Sequence, residues 1–158
     1  MSIEIGMFAR ALMGTAMLLM IANQAFAFGN DDHWVSGSGQ GFDEAIITHG
    51  PGNEILVTCN RGATNPGGTG ITIKIADQEI NGPLTLIFDG SKSLSPYTGV
   101  ITTDNRAGIS WYQEVMKQLR SSRSVSVVVP NIDPVEFTLK GARAAIGAPC
   151  EPTLWRQP

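Results

Sequence analysis

Asp89, Ser91 and Ser93 are the residues whose types and spacing most suggest chemistry. They lie in the stretch Leu84 to Ser93, LTLIFDGSKS. An Asp-x-Ser-x-Ser run after a buried strand has the spacing of a metal-ion-dependent adhesion loop, where a carboxylate and hydroxyls face a divalent cation. Such a site also needs a threonine and a second aspartate from distant loops, at the carboxyl end of a parallel sheet. Here the motif sits mid-chain and leads into LSPYTGVITTD, a proline and then another strand-like run instead of a helix. Thr102, Thr103 and Asp104 would complete a site only if that run folded back. Asp-Gly has a plainer use, because glycine at positive φ is favoured in tight connections between strands. We therefore read the motif as a polar inter-strand loop and assign no metal ligand to it.

The other candidates fare no better. His33 follows Asp31 and Asp32, a trio able to capture a metal, but it lies where chain ends commonly fray. His49 stands in the turn THGPGN, where a solvated imidazole is ordinary. SGSGQG lacks the Gly-x-Ser-x-Gly spacing of a nucleophile elbow, and NPGGTG has no Lys-Ser/Thr to act as a phosphate loop. Both glycine-rich stretches read as flexible loops. No pair of carboxylates is marked by spacing for glycoside cleavage. We assign no catalytic, cofactor-binding or metal-ligating residue, and no cofactor.

The chain's beginning supplies an address. Arg10 precedes an uncharged apolar run from Ala11 to Ile21, and Ala25-Phe26-Ala27 follows. A basic residue, a short apolar core and an Ala-x-Ala end form the pattern of a secretory signal peptide, with cleavage before Phe28. The run is shorter than the ~20 residues a membrane-crossing helix needs. Cys59 and Cys150, the two cysteines, both fall after that cleavage point. Outside the cytoplasm an even count is most simply a disulfide. Closing a loop of about 90 residues is worth about 4–5 kcal/mol in the chain-entropy model. The net charge of −3 argues against a nucleic-acid partner, which calls for a basic surface.

The elements that must position these residues are mostly strands. Alternation places Ile55, Val57 and Cys59 on one face, then Ile71, Ile73 and Ile75, then Leu84, Leu86 and Phe88. Val125, Val127 and Val129 repeat the pattern, followed by Val135, Phe137 and Leu139. AIITHG and YTGVITTD are further strand candidates, and Gly, Pro and Asn punctuate the gaps. The rhythm predicts a mainly β protein, an antiparallel β-sandwich of about seven strands. One amphipathic helix, residues 108–121, interrupts it: Ile109, Tyr112, Met116 and Leu119 recur at helical spacing. Trp111 and Tyr112 could stack on a ligand, but such a stripe ordinarily faces a sheet. A short helical turn is expected in GARAAIG. The domain plan is then a signal peptide at 1–27, a flexible N-terminal arm at 28–43, the sandwich at 44–150 and a tail at 151–158.

From Leu119 onward the chain reads LRSSRSVSVVVPNIDPVEFTLKGARAAIGAPC. A helix end, a strand, a short break, a Val-x-Phe-x-Leu-x-Gly strand and an Ala-rich turn ending in Cys resemble a known closing segment. It is that of exported bacterial β-sandwich proteins of the invasion-associated locus B type. The likeness runs through Val135, Phe137, Leu139, Gly141, Ala144, Ala145 and Cys150. This chain departs from those relatives in having two cysteines where they commonly have more, and in its EPTLWRQP ending. The resemblance implies an exported structural scaffold and no particular activity.

The sequence thus points to a periplasmic or secreted, non-enzymatic sandwich that binds another macromolecule, a protein or envelope component, with no transmembrane segment after cleavage. The alternative is a small exported hydrolase or metal-dependent enzyme using the Asp89, Ser91 and Ser93 loop.

Overall fold

The computed structural model of the chain describes residues 29–62, 67–148, 150, 152 and 153. The expected signal peptide and most of the expected tail lie outside these residues. Two antiparallel sheets make a sandwich-like pair. In chain order the strands are β1 (Val35–Gly39), β2 (Phe42–Thr48), β3 (Glu54–Asn60), β4 (Gly70–Ile75), β5 (Gln78–Glu79), β6 (Thr85–Phe88), β7 (Lys92–Leu94), β8 (Val100–Thr102), β9 (Ser124–Val128) and β10 (Val135–Thr138). Helix α1 (Arg106–Leu119) follows β8, and α2 (Ala142–Ile146) follows β10. The first sheet runs β1-β2-β3-β4-β5, with β8 pairing the other half of β4's free edge. The second runs β10-β9-β6-β7.

The five strands expected from alternation and the two further candidates are all present, and their apolar faces meet. Ile55 and Val57, Ile71 and Ile73, Leu86 and Phe88, Val125 and Val127, and Phe137 are buried in one contiguous core. The residues between them, Leu56 on β3, Thr72 on β4, Ile87 on β6 and Ser126 on β9, are only half-buried, as a period of two requires. α1 adds Tyr112, Val115, Met116 and Leu119 to the same core. Tyr112 is therefore a core residue, and Trp111 is partly buried against the cluster. Full burial of such side chains stabilises by about 1.5–3 kcal/mol each, and this shared core joins the helix to the sheets.

The structure revises three boundaries. Residues 35–43, expected in a flexible arm, form β1 and the start of β2, paired from Val35↔Ile46 to Gly39↔Phe42. The hairpin turns at Gln40 and Gly41, both at positive φ (51° and 84°), the backbone of a type I′ turn that matches strand twist. Just before it, Trp34 is buried; its backbone N–H bonds Lys140 O and its indole N–H bonds Thr138 O. SGSGQG is thus an edge strand and its turn. Helix α1 begins at Arg106, two residues before the expected 108, because Asn105 caps it by accepting from the Gly108 N–H at 2.8 Å. Gly108 lies inside the helix, where a Cβ would run into the Thr102 carbonyl of β8. The expected tail is anchored at its start: Thr153 is buried, and its N–H donates to Thr103 Oγ1 at 2.9 Å.

Cys59 ends the inward stripe of β3, and Cys150 follows α2. Their Cα atoms are 5.7 Å apart across 91 positions of sequence, within disulfide distance. The pairing ties the first sheet to the segment that closes the domain. Among the described residues no helix is long and apolar enough to cross a membrane.

Candidate functional site

Asp89 and Gly90 form the turn of the β6–β7 hairpin. Both have positive φ (49° and 68°), and the Ser91 N–H closes the turn on Phe88 O at 3.1 Å. The Asp89 carboxylate faces the start of β9, accepting from the backbone N–H groups of Arg123 (2.8 Å) and Ser124 (3.1 Å). Those bonds, the Arg123 N–H foremost, hold its pKa below the ordinary carboxylate value. Ser91 and Ser93 continue into β7 of the same antiparallel pair. The second carboxylate considered with this motif, Asp104, follows β8 of the other sheet. There it accepts from Thr102 Oγ1 (2.6 Å) and Asn105 Nδ2 (2.9 Å), the Thr102 bond being the main cause of its lowered pKa. The adhesion-motif residues are therefore divided between two sheets.

The Asp-Asp-His stretch also has structural work. Asp31 accepts from the hydroxyl of Thr48 and from the Gly50 N–H, and these bonds lower its pKa, the Thr48 bond most. Asn30 Oδ1 accepts the N–H groups of Asp32 and His33. His49 is exposed, with its ring edge-on to Phe137 at 6.1 Å between centroids. Among the described residues no three His, Cys, Asp or Glu side chains converge as metal ligands would.

A concave surface does exist, in a place the motifs did not mark. On the outer face of the first sheet, register aligns Glu44 with Thr58, Thr58 with Gly70, and Gly70 with Thr102. This row crosses β2, β3, β4 and β8. Gly70 contributes only backbone, so the row dips between two threonines, and a Cβ there would strike the Ile101 carbonyl. Phe42, Gly67 and Gly68 form one wall and Thr103, Asp104 and Thr153 another, around a cleft of about 400 Å³. That volume lies within the usual range for small-ligand sites, though this cleft is open, and its threonine side chains and glycine backbone sit in a mostly apolar lining.

Hydrogen bonds fix both walls. Buried Asn60 accepts from the Gly62 N–H (2.9 Å) and donates to the Gly67 carbonyl, holding the glycine loop at both ends. Thr103 Oγ1 donates to Thr69 O (3.0 Å) and accepts from the Thr153 N–H, and the Thr153 hydroxyl lies 2.7 Å away. With its proton given to Thr69 O, Thr103 can receive both Thr153 donors, so its hydroxyl is fully used. The cleft offers the Thr58 and Thr72 side chains and glycine backbone, with Phe42 as its aromatic edge. It has no nucleophile–base pair among these contacts. Sequence reasoning missed it because the row is assembled from four strands by register; Gly70 at the head of an Ile-x-Ile-x-Ile strand was the available sign.

No curated protein matches this chain, and no solved structure does. A family model described as YfjT matches residues 32–146, a span that begins before β1 and ends with α2. YfjT is a bacterial family, and no link to the invasion-associated locus B proteins is shown. By that match over most of its length, the chain belongs to the YfjT family.

Proposed function

We propose that the protein is an exported, non-enzymatic binding protein of the bacterial cell envelope, acting in the periplasm or after secretion. It seats a protein or envelope component in the threonine-lined cleft. The leader pattern at residues 1–27 supports export, as does a cysteine pair at disulfide distance, which persists in an oxidising compartment. The likeness of the closing segment to locus B proteins points the same way. One observation carries the binding reading: the row Glu44–Thr58–Gly70–Thr102 opens outward on a rigid sheet, while Asp31, Asp89 and Asp104 are engaged in local hydrogen bonds. The alternative, a hydrolase or metal enzyme at the Asp89 loop, draws less support, because that carboxylate already accepts two backbone donors.

The test is capture from envelope extract by the oxidised mature protein and by Thr58→Tyr, which fills the cleft with a side chain suited to a strand. A component retained by the wild type and lost with the variant supports the reading. Equal retention by both, or retention by neither, contradicts it.

A further inference from the structure

A second cavity, of about 660 Å³, runs along α1 beside the cysteine pair. Its floor is Tyr112, Met116, Cys150 and Pro152, and its polar wall holds Lys117, Arg120 and Arg143. No acidic residue is among its described lining residues, on a chain whose net charge is −3. The nearest carboxylate along the helix, Glu114, is engaged elsewhere: it accepts from Lys92 Nζ at 2.7 Å and from Gln118 Nε2 at 3.1 Å. Basic residues near a helix C-terminus often serve the helix dipole alone, and Lys117 and Arg120 are so placed. Arg143 is not explained that way, since it comes from α2 and lines the same space. The Arg120 Nε is buried and has no hydrogen-bond partner among the described residues. Arg120 itself lines the cavity, so its guanidinium stands with that of Arg143 where an anion could be met.

We propose that this groove binds an amphipathic organic anion, with a phosphate or carboxylate head held by Arg120, Arg143 and Lys117. The ligand's apolar body lies on Tyr112, Met116 and the cysteine bridge. Arginine forks suit both head groups, and the cavity has the size of small-ligand sites. The groove is separate from the threonine cleft and does not depend on what that cleft binds. A lipid head group and a free metabolite present the same chemistry here.

Calorimetric titration of the oxidised mature protein tests it with octyl phosphate, inorganic phosphate and the uncharged octyl glucoside. Octyl phosphate is expected to bind one to one and about tenfold or more tighter than inorganic phosphate, with octyl glucoside silent. The double variant Arg120→Gln/Arg143→Gln is expected to weaken octyl phosphate by about tenfold or more, at unchanged circular dichroism. Lys140→Gln, on exposed surface away from the groove lining, leaves binding unaltered. Should the double variant misfold, Lys117→Gln, at an exposed position, is expected to shift affinity the same way by a smaller factor. Co-sedimentation with phosphatidylglycerol vesicles, lost in the variants, identifies a lipid source; octyl phosphate binding without co-sedimentation identifies a free anion. Absence of octyl phosphate binding, or binding unchanged in every groove variant, overturns the proposal.

Discussion

At the scale of single residues, the most consequential side chains are those with no free hydrogen-bonding capacity. Thr103 is the clearest, because its buried hydroxyl serves Thr69 and Thr153 at once. Thr103→Val keeps the shape and leaves those partners unmatched, so a loss of about 1–3 kcal/mol is expected in urea unfolding. The same variant should increase protease cleavage after residue 150, since it removes the anchor of the closing segment. Trp34 is the second case. Truncating it to alanine removes a buried ring and its indole hydrogen bond to Thr138 O, and a loss of about 3–5 kcal/mol is expected. A Trp34→Ala protein as stable as the wild type would show that the buried ring does not hold the start of the domain against β10. The sequence made Phe137, Val125 and Ile73 legible as core through alternation. Trp34 was not, because it follows the polar run Asp31-Asp32-His33 and bonds to a partner more than a hundred positions away.

At the scale of elements, legibility followed the physics that forms each one. β3, β4, β6, β9 and β10 owe their pairing to apolar alternation, a local signal, and their spans were read closely. β1 owes its pairing to the Gln40–Gly41 turn and to register with Ile46 and Ala45, and its Ser and Gly residues carry no alternation to read. The start of α1 was displaced because glycine looked like a limit, whereas it marks close contact with β8. Asn105→Ala removes the cap and is expected to cost about 1 kcal/mol, measurable as a lower urea midpoint with an unchanged slope. Three loop carboxylates add a pH dependence. Asp31, Asp89 and Asp104 are held below their ordinary value of 3.8 by accepted hydrogen bonds. Their stabilising contribution is therefore complete above that value and is lost as pH falls through the lower folded-state values. The melting temperature should stay level with respect to these groups from neutrality to about pH 5 and drop below about pH 4. Asp89→Asn should shallow that drop; an acid limb identical to the wild type would remove Asp89 from the explanation.

At the scale of the whole molecule, the proposed export joins the leader pattern in the sequence to the cysteine pair and the two-sheet sandwich of the structure. On the proposed reading the chain folds after export, and the pairing of Cys59 with Cys150 closes a loop that spans most of the domain. Reducing that bridge is expected to lower stability by about 2–5 kcal/mol, read by urea unfolding with and without reductant. The cleft and the basic groove both need this scaffold: Cys150 lines the groove, and the segment after it forms a wall of the cleft. Neither concavity was legible in the chain, since each assembles residues from distant elements. The most direct test is the intact mass of the native protein recovered from the cells that make it, before and after reduction and alkylation. The account predicts a chain beginning at Phe28, found outside the cytoplasm, whose cysteines take up alkylating reagent only after reduction. A cytoplasmic chain retaining residues 1–27, with both cysteines alkylated without reduction, would contradict it.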